Sequence, residues 1–171
     1  MAPIQVLTNN LLYDFSQVPI PVDNVDQEQV ARPRPWNIDE LKRFILYIGP
    51  VSSIFDYTTY FVMLFVFRCW GNGKLFQTGW FVESLMTQTL IIHVIRTNKI
   101  PFIQSTASWP LMVTSGLIMA FGAWLPFSPL ASSLGFVALP NAYWPILALT
   151  LLCYVVLTQV VKAWLLRRRW I

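Results

Sequence analysis

The sequence predicts an all-α membrane protein with five transmembrane helices, on three observations. Of its 171 residues, 56% are hydrophobic and only 12% charged, with a mean hydropathy of +0.54, a balance that belongs to integral membrane proteins. Five stretches match the roughly 20 apolar residues that a helical crossing needs: about 3–20, 44–70, 76–95, 109–127 and 141–165. Within them Leu, Ile, Val, Phe, Trp and Met are spread round every face, as in helices immersed in lipid or buried. The alternating pattern of an outer-membrane barrel is absent. The whole chain, 1–171, reads as a single membrane domain.

The first span, 3–20, has no basic n-region and no small-residue cleavage site, so it is not a signal peptide. It starts at residue 1 with no flanking polar stretch, which suggests a chain cut from something longer. It also holds the most informative pair in the sequence, Asn10 and Asp14. An ionisable group at membrane depth costs about 2.5–3.5 kcal/mol on insertion scales and is seldom present without a use. The i, i+4 spacing puts the two side chains on one helical face. An amide carbonyl and a carboxylate are oxygen ligands suited to a hard cation such as Mg²⁺ or Ca²⁺. Half of an ion site is one reading; a polar helix–helix contact is the other. Pro19 and Pro21 loosen the helix just past the acid.

The long soluble stretch is 21–43, in which Asn37 is a candidate N-cap with Glu40 as its capping-box partner. Alternating prolines at Pro33 and Pro35 keep the preceding part extended, as a linker or a docking loop. The second span carries Asp56 near its middle, with Ser52 one turn earlier on its face, so that a hydrogen-bonded packing cluster is one reading and a direct ion contact the other. Gly71-Asn72-Gly73 makes a tight turn into the third span. There Glu83 lies about two turns, roughly 10 Å, from the outer end, so that it could snorkel outward or line a cation exit path. Gln88 and Thr89 are polar groups typical of helix contacts, and His93 reads as a hydrogen bonder at headgroup level. The fourth span ends at Pro126-Phe127-Ser128-Pro129. Cys69 and Cys153 read as small apolar fillers.

The basic residues predict the topology. Ten of the 12 Lys and Arg fall in three clusters: Arg32, Arg34, Lys42 and Arg43; Arg96 and Lys99; and Lys162 with Arg167, Arg168 and Arg169. If all five segments span, these share a side, and only Arg68 and Lys74 lie opposite. The positive-inside rule puts that side, with the C-terminus, in the cytoplasm and residue 1 outside. Trp70, Trp80, Trp109, Trp124, Trp144 and Trp164 sit near span ends as an aromatic belt. The formal net charge of +4 fits attraction to anionic lipid, not nucleic-acid binding. No phosphate-binding loop, G-x-S-x-G elbow or H-E-x-x-H helix is present, so the chain alone is not expected to act as an enzyme.

The run Asn9-Asn10-Leu11-Leu12-Tyr13-Asp14, followed by Gln17, resembles the sixth transmembrane helix of P-type cation-transporting ATPases. Later blocks are similar to the bacterial magnesium-transporting group: Gly49-Pro50-Val51-Ser52-Ser53-Ile54-Phe55-Asp56, Gln88-Thr89-Leu90-Ile91-Ile92-His93, Arg96-Thr97 with Ile100-Pro101-Phe102-Ile103-Gln104-Ser105, and Leu125-Pro126-Phe127-Ser128-Pro129-Leu130-Ala131. The resemblance implies that the five spans are the sixth to tenth helices of a ten-helix membrane domain in the bacterial inner membrane. It implies that Asn10 and Asp14 line the transported-cation site, with Mg²⁺ as cargo. The family's Asp-Lys-Thr-Gly-Thr motif, its nucleotide-binding domain and the Pro-Glu break of its fourth helix are not in this sequence. The chain therefore looks like a C-terminal fragment, with the first five helices and the cytoplasmic domains as its partner. A standalone structural or regulatory subunit, or a small oligomeric channel or carrier, remain the alternatives.

Overall fold

A computed structural model describes residues 1–26 and 37–168. The expectations for Arg32, Arg34, Pro33, Pro35 and Arg169 fall outside these residues. Among the described residues there is no strand, only an isolated bridge between Pro101 and Ser105. Five α-helices form among the described residues: α1 (Pro3–Gln17), α2 (Ile38–Phe61), α3 (Gly73–Ile95), α4 (Trp109–Trp124) and α5 (Tyr143–Arg167).

The helix boundaries have local causes. Pro3 opens α1, where its missing amide costs nothing, and Gln5 accepts the Ala2 amide at 3.0 Å. Asn37 caps α2 as predicted: its Oδ1 accepts the Asp39 amide at 3.0 Å, and its Nδ2 donates to Glu40 at 3.1 Å. That cap starts α2 six residues before the predicted span. Its end passes through a π turn (Val62–Val66), and Arg68 then takes the left-handed conformation at φ 50. The side chain of Asn72 caps α3 by accepting the Leu75 amide at 3.1 Å. Pro110 sits in the first turn of α4, and a 3₁₀ turn at Leu125–Phe127 ends it.

α3 is the central helix, packed against α1, α2, α4 and α5. Its buried residues run from Thr78 to Val94 and occupy all faces. α1 leans on α3 and α4, whereas α2 leans on α3 and α5. The main core gathers Met63, Phe81, Val82, Leu85, Leu125, Phe136, Tyr143 and Leu147. Gly79 allows a close approach: a Cβ there would meet the Met63 thioether at 2.6–2.7 Å, and the Tyr143 hydroxyl donates to the Gly79 carbonyl at 2.6 Å.

The buried Gln5 side chain donates to the carbonyls of Leu134 and Gly135, each at 3.2 Å, and so ties α1 to the loop before α5. Gly135 sits at φ 73, a conformation glycine adopts without a Cβ penalty.

By length and composition, two helices among the described residues can cross a membrane, α4 with its terminal turn (Trp109–Phe127) and α5. The outer face of α5 is a stripe of exposed Leu149, Leu152, Val156 and Val160, a surface suited to lipid. α1 has 15 residues, short of the roughly 20 needed for a full crossing. α3 owes its lower hydropathy to Thr78, Glu83, Ser84, Thr87, Thr89 and His93, all of them buried. Cys69 is a buried filler as expected, whereas Cys153 is exposed.

A candidate cation site and the polar latch beneath it

α1 buries Gln5, Asn9, Leu12 and Ser16 against the other helices. At about 100° per residue, Asn10 and Asp14 fall on the opposite face, and both are exposed. The two predicted ligands thus share a face one turn apart, and that face is turned away from α3 and α4. Among the described residues no group of three His, Cys, Asp or Glu side chains could hold a metal ion. Two oxygen ligands and retained water suit Mg²⁺, which keeps much of its hydration shell.

The other acids inside spans, Asp56 and Glu83, lie on other helices, α2 and α3. Asp56 accepts the Trp80 indole N–H at 3.1 Å, a contact between α2 and α3. Ser52 does not serve Asp56 but shares a 3.1 Å hydrogen bond with the Tyr154 hydroxyl. Glu83 does not snorkel: it is 1% exposed, because α3 is enclosed on all sides and the side chain has no route outward. His93, read as a hydrogen bonder at headgroup level, is 4% exposed, and its Nε2 shares a 3.0 Å bond with Ser115 Oγ on α4.

The sequence reading missed a polar latch at the end of α1. Asp23 Oδ2 accepts Arg96 Nε at 2.5 Å, and Oδ1 accepts the Ser108 amide at 2.6 Å. The Asp23 and Arg96 side chains are only 9% and 10% exposed. Asp26 accepts from Thr97 Oγ1 at 2.5 Å and Ser105 Oγ at 2.9 Å. Arg96 also donates to the carbonyls of Asn24 (2.6 Å) and Thr106 (3.3 Å) and to Ser105 Oγ (3.2 Å). From α5 the buried Lys162 donates to the carbonyls of Val94 (2.7 Å), Thr97 (2.9 Å) and Lys99 (3.4 Å). The charges match the helix dipoles: a carboxylate stands at the N-terminus of α4 and an ammonium at the C-terminus of α3. Burial pulls the Asp23 carboxyl upward, but the Ser108 amide and the Arg96 guanidinium outweigh it and hold it below the ordinary carboxylate range. For Asp26 the hydrogen bond from Thr97 is the leading cause of a shift in the same direction. The sequence signal is Asp23 and Asp26 three apart, close after the helix that carries Asp14; nothing in the spacing pairs them with Arg96 or Lys162.

Comparison with known proteins decides the family. The sequence model of the family described as "Cation transporting ATPase, C-terminus" matches residues 1–164. The chain belongs to that family. It is 52% identical over 170 residues to the magnesium-transporting ATPase, P-type 1, of Escherichia coli strain K12, with 98% of this chain covered. The same identity and coverage hold for the protein of that name in Salmonella typhimurium LT2, and a second protein so named in that strain is 47% identical over 171 residues. The chain spans 19% of the length of these relatives. Like them it is a P-type cation-ATPase sequence, and it corresponds to their C-terminal part.

Proposed function

We propose that this chain is the C-terminal membrane portion of a magnesium-importing P-type ATPase of the bacterial inner membrane, and that Asn10 and Asp14 supply part of its transported-cation site. The observation that carries the reading is their position on the face of α1 opposite the one packed against α3 and α4. A ligand pair on an outward face is available to helices that this chain does not contain. The names of the relatives support Mg²⁺ as cargo. In this reading the five segments all cross the bilayer, α1 together with the turn Ile20–Val22 that continues it, residue 1 is outside, and the latch and C-terminus are cytoplasmic. Hydrolysis of ATP belongs to domains that this sequence does not carry.

The test is magnesium uptake in a transport-deficient bacterium, with this chain co-expressed with the first five helices and cytoplasmic domains of such a pump. Asp14→Asn keeps the shape and most hydrogen bonding but removes the charge. Uptake should fall about tenfold or more at unchanged protein level, since 1.4 kcal/mol of lost ion affinity is already a factor of ten. Asp56→Asn is the control, because the amide oxygen can still accept from Trp80. Normal uptake with Asp14→Asn, together with loss in Asp56→Asn, would overturn the assignment.

A further inference from the structure

A groove of about 160 Å³ opens between α3 and α4, lined by Leu90, His93, Phe102, Met112, Ser115, Gly116 and Met119. All its walls are apolar except for His93 and Ser115. Apolar walls of this kind suit a small apolar body rather than water. His93 is 4% exposed and lines this space, and its Nδ1 has no hydrogen-bond partner. When Ser115 donates to Nε2 across the 3.0 Å contact, the imidazole is the tautomer with a proton on Nδ1. A buried N–H then stands beside an apolar groove and lacks an acceptor, a situation that costs stability until one is supplied.

The level of the groove in the bilayer narrows the occupant. Trp109, 76% exposed at the start of α4, marks the headgroup region. Ser115 is six residues further on, about 9 Å at 1.5 Å per residue. Headgroup and interfacial layers together add roughly 5–7 Å on each side of the hydrocarbon. His93 therefore lies where the glycerol ester carbonyls of a phospholipid give way to its acyl chains. An ester carbonyl accepts but cannot donate, which matches Nδ1 in the tautomer that carries its proton there, and an acyl segment matches the methionine and leucine walls.

We propose that the α3–α4 groove is a lipid-binding site that holds one acyl chain of a glycerophospholipid, with an ester carbonyl accepting from His93 Nδ1. The Phe102 ring lies over the imidazole at 5.2 Å between centroids, is itself partly exposed, and sits at a left-handed φ of 65. Nδ1 is closed to solvent, and turning the Phe102 side chain aside is the movement that admits the carbonyl. The site rests on the membrane embedding of α3 and α4, not on the magnesium reading.

The chain has a single histidine, so ¹⁵N-histidine labelling gives one pair of ring signals. The 171-residue chain is reconstituted in bilayers of diester phosphatidylglycerol and, in parallel, of the diether analogue with the same headgroup and chain length. In the diester bilayer the Nδ1–H signal should carry the downfield shift of a hydrogen-bonded donor. In the diether bilayer, which lacks the carbonyl, that shift should be lost. Gly116→Leu is the filling variant, because a Cβ at Gly116 meets nothing within 4 Å; it should abolish the difference between the two lipids at unchanged helicity. Phe102→Ala, which uncovers the ring, should retain or enlarge it. Identical signals in the two bilayers would overturn the proposal, whether water or another helix fills the groove, and so would a lipid difference that survives Gly116→Leu.

Discussion

Asp23→Ala is the sharpest perturbation of the latch that joins α1 to the α3–α4 connection. It removes two charge-assisted hydrogen bonds, from Arg96 Nε at 2.5 Å and from the Ser108 amide at 2.6 Å. Hydrogen bonds to charged groups contribute about 1.5–3 kcal/mol each, so the loss is bounded near 3–6 kcal/mol. Among the described residues Arg96 keeps at least three other acceptors, the carbonyls of Asn24 and Thr106 and the hydroxyl of Ser105, which places the cost at the low end, about 3 kcal/mol. At 1.4 kcal/mol per decade that is roughly a hundredfold. The assay is amide hydrogen exchange at Ser108 in lipid nanodiscs, where protection should fall by that factor. Asp23→Asn retains an oxygen for the Ser108 amide and should lose about tenfold. The sign of the pH dependence follows from the depressed carboxyl of Asp23. A group whose folded pKa lies below its unfolded value gives its full stabilisation above the unfolded value and loses it as pH falls through the folded one. Latch protection should therefore be complete above the ordinary value of 3.8 and be lost below it. Ser108 protection in Asp23→Ala within threefold of the unaltered chain would refute the reasoning, because the loop would then be held by something other than this carboxylate.

Lys162→Met keeps the length of the side chain but strips the ammonium from the carbonyls of Val94 and Thr97. Buried carbonyls left without donors should lower stability by about 2–3 kcal/mol, read as an earlier unfolding transition in mixed detergent micelles, and an unchanged transition would mean that water replaces the ammonium. Reporter fusions at Lys99 and Ser132 should give opposite readings, cytoplasmic and external, because the two residues flank α4; matching readings would sink the five-span arrangement. The purified chain supplied with ATP and Mg²⁺ should release no phosphate above a lipid blank, and vanadate-sensitive turnover would contradict the reading of its motifs.

The sequence by itself determined the helical class, the candidate ligands and the local punctuation. Apolar runs interrupted by Gly71-Asn72-Gly73 and Pro126 specify helices and turns, and the cap at Asn37 is set by neighbours two and three residues away, so such features are legible without a fold. The i, i+4 relation of Asn10 and Asp14 is likewise a property of one helix. What the tertiary structure decided is which face of each helix meets another. Asn9 and Asn10 are adjacent and chemically identical, yet Asn9 is buried and Asn10 exposed, because only packing chooses between faces about 100° apart. Glu83 and Lys74 are both charged residues of one helix, but only the bundle encloses Glu83. Residues 23, 96, 108 and 162 are brought together across separations of 12 to 139 positions. No periodicity records such separations, because the hydrogen bonds that join them exist only after α1, α3, α4 and α5 have packed.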